Sequence, residues 1–170
     1  MHVRERTHAD LDSCERLARV VHELDGYPPR LPCDLRRFIA SADAIGAWVA
    51  EHDRGIVGHV ALHRESSEEV MALAAKATGL PRERLGVIVR LLVAPSVRRM
   101  GAGRALLSVA SGEAISRGLW PILDVATHFG PAINLYENTG WKCAGRVTVP
   151  IRGAESLDEY VYIGPSAPDA

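Results

Sequence analysis

Neither an excess of one charge nor a long apolar run marks this chain. Twenty Lys and Arg stand against 21 Asp and Glu, a formal net charge of −1. A large nucleic-acid footprint would show instead as a surplus of Lys and Arg collected on one face. No stretch approaches the roughly 18 to 20 uncharged residues of a membrane-spanning helix. Met1 to Asp10 alternates charged and polar groups where a secretory signal needs an apolar centre. Neither nucleic acid nor membrane is therefore expected as a partner, and a cytoplasmic location is. Cysteine is scarce: Cys14, Cys33 and Cys143 are odd in number and too scattered for a CxxC knuckle or a disulfide framework. They are expected to be reduced, mostly buried thiols without a catalytic role. What is present, 170 residues that are 47% hydrophobic, suits one compact soluble domain with a sizeable core.

Periodicity divides the chain into alternating elements. Val3 to Arg6 reads as a short strand, and Asp10 to Leu24 as a helix in which Leu11, Cys14, Leu17, Ala18 and Val21 recur at helical steps, with Asp10 as its N-cap. Gly26, Pro28, Pro29 and Pro32 make Asp25 to Pro32 a loop, and a short helix follows from Asp34 to Ser41. Ala47 to His52 and Ile56 to His63 form an antiparallel hairpin about Asp53, Arg54 and Gly55, with Gly55 free to take positive φ. Ser66 to Thr78 is helical, capped by Ser66 or Ser67 and closed by Gly79 and Pro81.

Leu85 to Val93 is apolar except for Arg90, the pattern of a strand covered on both faces. Gly101 to Arg117 is helical, with Ala105, Leu106, Val109, Ala110 and Ile115 expected to face the sheet and Gly118 at its end. Pro121 to Ala126 is the next strand, completing a crossover whose outer members should run parallel. A short helix over Ala132 to Asn138 and strands at Trp141 to Val149 and Glu159 to Ile163 precede a small, Pro-rich tail from Gly164 to Ala170, expected to fray.

Chemistry concentrates in Val93 to Arg104, VAPSVRRMGAGR, at the carboxyl end of the buried strand and the start of a helix. A helix start leaves amide N–H groups without internal partners and carries the positive end of the macrodipole, so it can hold a diphosphate. Gly101 and Gly103 let oxygens approach the amides, and Arg98, Arg99 and Arg104 add fork-shaped cationic donors. The string GxxxxGK followed by Ser or Thr does not occur, and the third glycine of a dinucleotide fingerprint is replaced by Leu106. An ordinary helix start built from Arg, Gly and Ala remains the bland alternative.

Arg98 to Gly103 matches the pattern Q/R-x-x-G-x-G/A, and Leu91-Leu92-Val93 followed by Ala94-Pro95 looks like a fourth strand and its exit. Ala132 to Trp141, AINLYENTGW, is similar to A-x-x-L-Y-E-x-x-G-F. On these two segments the chain resembles the GCN5-related N-acetyltransferase (GNAT) family, over residues 85 to 149. The amino-terminal half matches only in the order of its elements.

The resemblance implies a single-domain α/β fold over residues 1–164, with residues 165–170 as tail. Its centre would be a twisted mixed sheet with helices on both faces and a splayed parallel strand pair at the cofactor site. It also implies acetyl-CoA as acyl donor without a metal. The backbone of Leu91, Leu92 and Val93 would pair with the pantetheine arm, and Arg98, Arg99, Met100, Gly101, Ala102, Gly103 and Arg104 would cradle the diphosphate.

An amine attacks a thioester only when neutral, so the site must take a proton from the ammonium and return one to the thiolate. By the resemblance Tyr136 is the general acid, with its phenol near the coenzyme A sulfur. Asp124, amid apolar residues on a strand, would have a raised pKa and lies where the ribosomal-protein acetylating branch of the family keeps an acidic base. The alternatives are an anchoring aromatic for Tyr136 and a hydrogen-bonded structural acid for Asp124. Where histone-modifying members of the family carry a fourth-strand Glu this chain has Val87, and where many members carry an Asn that touches coenzyme A it has Phe129.

His59 and His63 on a strand lie roughly 13 Å apart, too far to share one ion, and are expected to line a pocket or the surface, with His59 a weak alternative base. Arg90 either binds an acidic acceptor group or pairs with a buried acid. Together these readings describe an acetyl-CoA-dependent N-acetyltransferase acting on a primary amine of a small molecule or peptide by direct attack in a ternary complex. Homodimerisation is compatible with it. The rival is a noncatalytic acyl-CoA-binding or sensing module on the same fold.

Overall fold

Alternating strands and helices build one mixed sheet. The computed structural model describes residues 1–53, 55–151 and 155–165. In chain order these form β1 (His2–Glu5), α1 (Leu11–Asp25), α2 (Leu35–Ile39), β2 (Ala44–His52), β3 (Gly55–His63), α3 (Glu68–Thr78) and β4 (Leu85–Val93). Then follow α4 (Ala102–Ser116), β5 (Trp120–Ala126), α5 (Gly130–Glu137), β6 (Lys142–Pro150) and β7 (Ser156–Ile163). The seven-stranded sheet runs β1-β2-β3-β4-β5-β7-β6. β1 and β2, β5 and β7, and β6 and β7 pair antiparallel, while β4 and β5 pair parallel, as the crossover through α4 requires. Among the described residues no helix is long and apolar enough to cross a membrane. Arg54, expected in the hairpin turn, and all of the expected tail beyond Pro165 lie outside the described residues.

The chain forms two compact units, residues 1–62 with 90–110 and residues 63–89 with 111 onward. In the first, the apolar stripe of α1 (Leu11, Cys14, Leu17, Ala18, Val21) packs with Leu35 and Ile39 of α2 and with Val49 and Leu92. Gly58 of β3 leaves room for α4: a Cβ there would stand 2.7 Å from Leu106 and 3.3 Å from the Leu92 carbonyl oxygen. In the second unit, Val70, Met71 and Ala74 of α3 cover Leu85, Val87, Ile122 and Val161. Ser67 caps α3 by accepting from Val70 N–H, and Gly79 ends it at φ 70°.

Four local expectations are corrected. Asp10 is no N-cap. Its backbone is helical, and its carboxylate turns back to accept from Thr7 N (2.7 Å) and Thr7 Oγ1 (2.9 Å) while bonding both Arg4 nitrogens at 2.8 Å. In the β2–β3 turn the positive φ falls on Asp53 (48°) and not on Gly55, because a short polar side chain tolerates the left-handed region. The buried stripe of α4 is Ala102, Leu106, Leu107, Ala110, Ser111 and Ala114, while Val109 is exposed. Leu106, Leu107 and four small residues form that face, and the β-branched Val109 and Ile115 do not. Only Cys14 is buried among the cysteines; Cys33 and Cys143 are exposed.

Candidate active site

The β4–α4 turn is assembled from backbone. β4 ends at Val93, and the Ala94 amide donates to the Val57 carbonyl at 2.8 Å. A 3-10 turn over Pro95–Val97 leads to Arg99 at φ 66° and Gly101 at φ 86°, two left-handed residues that reverse the chain into α4. The first backbone bond of α4 joins Ala105 N–H to Gly101 O at 2.9 Å. The amides of Ala102, Gly103 and Arg104 thus have no partner within the helix. Nothing lies within 4 Å of a Cβ built on Gly101, so the turn is uncrowded at that position. Arg99, Met100, Gly101 and Arg104 are exposed. These features fit a diphosphate, which needs close-packed amide donors, a positive helix end and flanking guanidinium groups.

Arg98 has a different partner. Its guanidinium bonds both carboxylate oxygens of Asp25, the last residue of α1, with Nη1 to Oδ1 at 3.0 Å, and reaches the Val93 carbonyl oxygen at 3.5 Å. It ties the turn to the end of α1.

The β4–β5 ladder holds three residue pairs, Leu85 with Trp120, Gly86 with Pro121 and Val87 with Ile122. Among the described residues it stops there, although β4 continues to Val93 and β5 to Ala126. Val87 is fully buried in the core under α3.

Tyr136 is 6% exposed on α5, with ring centroids of Tyr162 and Trp141 at 5.7 and 6.1 Å. The Trp141 amide donates to the Tyr136 carbonyl at 3.1 Å, and the Tyr162 hydroxyl donates to Glu137 at 3.0 Å, so α5 is pinned beside β7. Phe129 is the residue before α5 and its backbone carbonyl accepts from Ile133.

Asp124 is partly buried on β5, accepts from the Ser66 hydroxyl at 3.2 Å and is hydrogen-bonded to the Glu159 carboxyl of β7. Burial pushes Asp124 above the ordinary carboxylate range. Glu159 is raised to about 8, first by burial and then by the neighbouring Asp124 charge and the hydrogen bond between them. The sequence reading missed Glu159. Its two-residue step to the buried Val161 marked an inward-facing acid, and Ile122 and Asp124 repeat that step on β5.

His59 is fully buried and neither lines a pocket nor faces solvent. A carbonyl can only accept and a guanidinium can only donate. Its Nδ1–H therefore donates to Arg90 O at 3.0 Å, and its Nε2 accepts from Arg6 Nη1 at 3.2 Å. That lone pair is engaged, so His59 is no base. His63 is also buried, at the end of β3. Among the described residues no group of three or more His, Cys, Asp or Glu could hold a metal ion. Arg90, at φ 55°, stacks its guanidinium 4.4 Å from the centre of the Phe38 ring, an arrangement the sequence reading did not weigh. Burial pushes Cys14 up to about 11, far from a nucleophile's range.

Comparison with known proteins bears on the fold and the family. No curated protein matches the chain. Among solved structures, it is similar to a ribosomal-protein-alanine N-acetyltransferase from Brucella melitensis, with 22% identity, 96% of this chain and 98% of that one covered, and a TM-score of 0.72. It is also similar to the Arabidopsis thaliana NAA60 complex with acetyl-CoA (20% identity, 95% and 96% covered, TM-score 0.70). The ribosomal-protein-S18-alanine N-acetyltransferase of Escherichia coli gives 17% identity, 99% and 96% covered, and a TM-score of 0.68. Residues 11–141 match the acetyltransferase (GNAT) family model, and the chain belongs to that family.

Proposed function

We propose that the protein is an acetyl-CoA-dependent N-acetyltransferase formed by one domain over residues 1–164 and working in the cytoplasm, with a primary amine of a small molecule or peptide as acceptor. The observation that carries this reading is the turn before α4, where three helix-start amides and the exposed Arg99 and Arg104 stand together. The acyl donor supplies the activated acetyl group. The backbone of Leu91–Val93 is assigned to its pantetheine arm, and the turn from Arg98 to Arg104 to its diphosphate. Within that turn the amides, Arg99 and Arg104 make the contact, and Arg98 braces the turn through Asp25.

Two proton steps are assigned to Asp124 and Tyr136. Asp124, its ionised form desolvated beside the Glu159 carboxyl, takes the proton of the acceptor's ammonium. The freed amine attacks the carbonyl carbon, the carbon–sulfur bond breaks, Tyr136 protonates the leaving thiolate, and the proton shed by the new amide nitrogen restores the phenol. Direct attack suits the thiols present, since Cys14 is buried with a raised pKa. Small amines and peptide amino groups are both retained because the solved relatives named for their activity act on alanine of ribosomal proteins.

The test is thiol release from acetyl-CoA over a panel of small amines and peptides with free amino termini, including alanine-led ones. Release that depends on the amine is expected. Acetyl-CoA binding without release on any amine would favour the noncatalytic module, and no binding would remove both readings.

A further inference from the structure

Two carboxyl groups that bond each other must share a proton, because ionised carboxylates only accept. Asp124 and Glu159 are in that position. In the antiparallel β5–β7 ladder Asp124 stands opposite Val161, and Glu159 lies two residues along on the same face, at the diagonal place within reach of its side chain. The groups around the pair are identified by element. The segment leading into α3 supplies the Ser66 hydroxyl, and the buried His63 ends β3 three residues earlier. The first turn of α3 carries Glu68, whose oxygens are bonded to Arg82, and Glu69. The same face of β4 carries Val87 and Val89, and that of β7 carries Val161. Among the described residues no cationic side chain shifts either carboxyl.

An acid placed there for stability alone would be matched by an arginine or lysine, as Asp10 is by Arg4. The uncompensated pair is held by protonation instead, the arrangement by which enzymes separate the proton affinities of two like groups.

We propose that Glu159 acts through Asp124: the two carboxyls share one proton across the β5–β7 ladder and together receive the proton that the acceptor's ammonium must lose. This rests on the reading of Asp124 as base given above. The balance is simple. The doubly ionised pair and an ammonium become a singly ionised pair and a neutral amine, with no other reactant. Glu159 is a positioning residue, since it changes the proton affinity of the group that meets the acceptor. Burial and the neighbouring Asp124 raise Glu159 to about 8, so the pair keeps a proton well above the ordinary carboxylate range.

The experiment has two arms. Carbon-13 carboxyl titration of the whole wild-type protein needs neither acceptor nor variant, and two mutually dependent carboxyl titrations are expected, the later near pH 8. Independent titration of both groups below about pH 5, the ordinary carboxylate range, would overturn the proposal. The second arm is the pH profile of thiol release with the amine panel. Glu159→Gln should move the acid limb to lower pH and lower the plateau by roughly tenfold, less than the roughly hundredfold loss expected of Asp124→Asn. Glu159→Asp should restore part of the wild-type profile. A merely structural Glu159 would lower the rate without moving the limb, and that result overturns the inference while leaving acetyl transfer intact. Full activity in Asp124→Asn overturns it together with the base assignment. No turnover with any amine, despite coupled titration, overturns the role in proton transfer.

Discussion

Replacing Gly101 by alanine separates backbone strain from crowding at the turn before α4. Gly101 sits at φ 86°, and a Cβ there would meet nothing within 4 Å, so no clash accompanies the substitution. What remains is the left-handed conformation, which costs a residue with a Cβ about 1–2 kcal/mol. Alanine also narrows the unfolded ensemble, an effect of about 0.4–1 kcal/mol in the opposite direction that is smaller than the penalty at positive φ. The strain must appear somewhere. If the turn keeps its shape, the melting temperature falls and affinity for acetyl-CoA is retained. If the turn relaxes toward negative φ, stability recovers and the amides of Ala102 to Arg104 must be realigned by the ligand, weakening binding by about five- to thirtyfold. Calorimetric titration with acetyl-CoA together with thermal melts reads both terms. Gly101→Asn, whose side chain tolerates the left-handed region, should fall between glycine and alanine. Unchanged stability and unchanged affinity in Gly101→Ala would refute the conformational requirement.

Other outcomes follow from the same geometry. Tyr136→Phe should cut turnover by roughly a hundredfold or more with acetyl-CoA affinity preserved, measured by thiol release and calorimetry; an unchanged rate removes the phenol as acid. Arg99→Ala with Arg104→Ala should weaken acetyl-CoA by roughly tenfold at low ionic strength and by less in high salt, since both guanidiniums are exposed. Arg4 holds Asp10 well below the usual carboxylate range. The stability this confers is complete above the unfolded carboxylate's ionisation and drains as pH falls through the folded value. Asp10→Ala should thus cost about 2 kcal/mol at pH 7 and little in strong acid, by denaturant unfolding at both pH values. Glu159 has the opposite sign. Its raised folded value of about 8 means that stability declines as pH climbs from the ordinary carboxylate range toward that value. Glu159→Gln should flatten the decline in melts between pH 5 and 8.

The local code was most legible where one residue decides the backbone. Gly79 and Ser67 marked the ends of α3, and the unbroken apolar run Leu85–Val93 marked β4 to the residue. The glycine turn after it was legible because its positive φ at Gly101 is a property of one position. Long-range partners were not. The Asp124–Glu159 contact joins strands 35 positions apart in sequence through a register that only the folded sheet sets. Arg98 bonds Asp25 at the end of α1, a partner that its phosphate motif did not suggest. Asp10 looked like a cap because it precedes a helix, yet the two-pronged bond to Arg4 outweighed one backbone amide. The facing side of α4 was misread because hydrophobicity favours Val109 and Ile115, whereas close packing selects Ala110, Ser111 and Ala114.

Backbone amide resonances of Ala102, Gly103 and Arg104, followed while acetyl-CoA is added, test the central claim most directly. Saturable shifts at these three amides, reproduced by the adenosine diphosphate portion of the ligand alone, are the predicted result. Saturation of the protein with those three signals unmoved, or no binding at all, would contradict it.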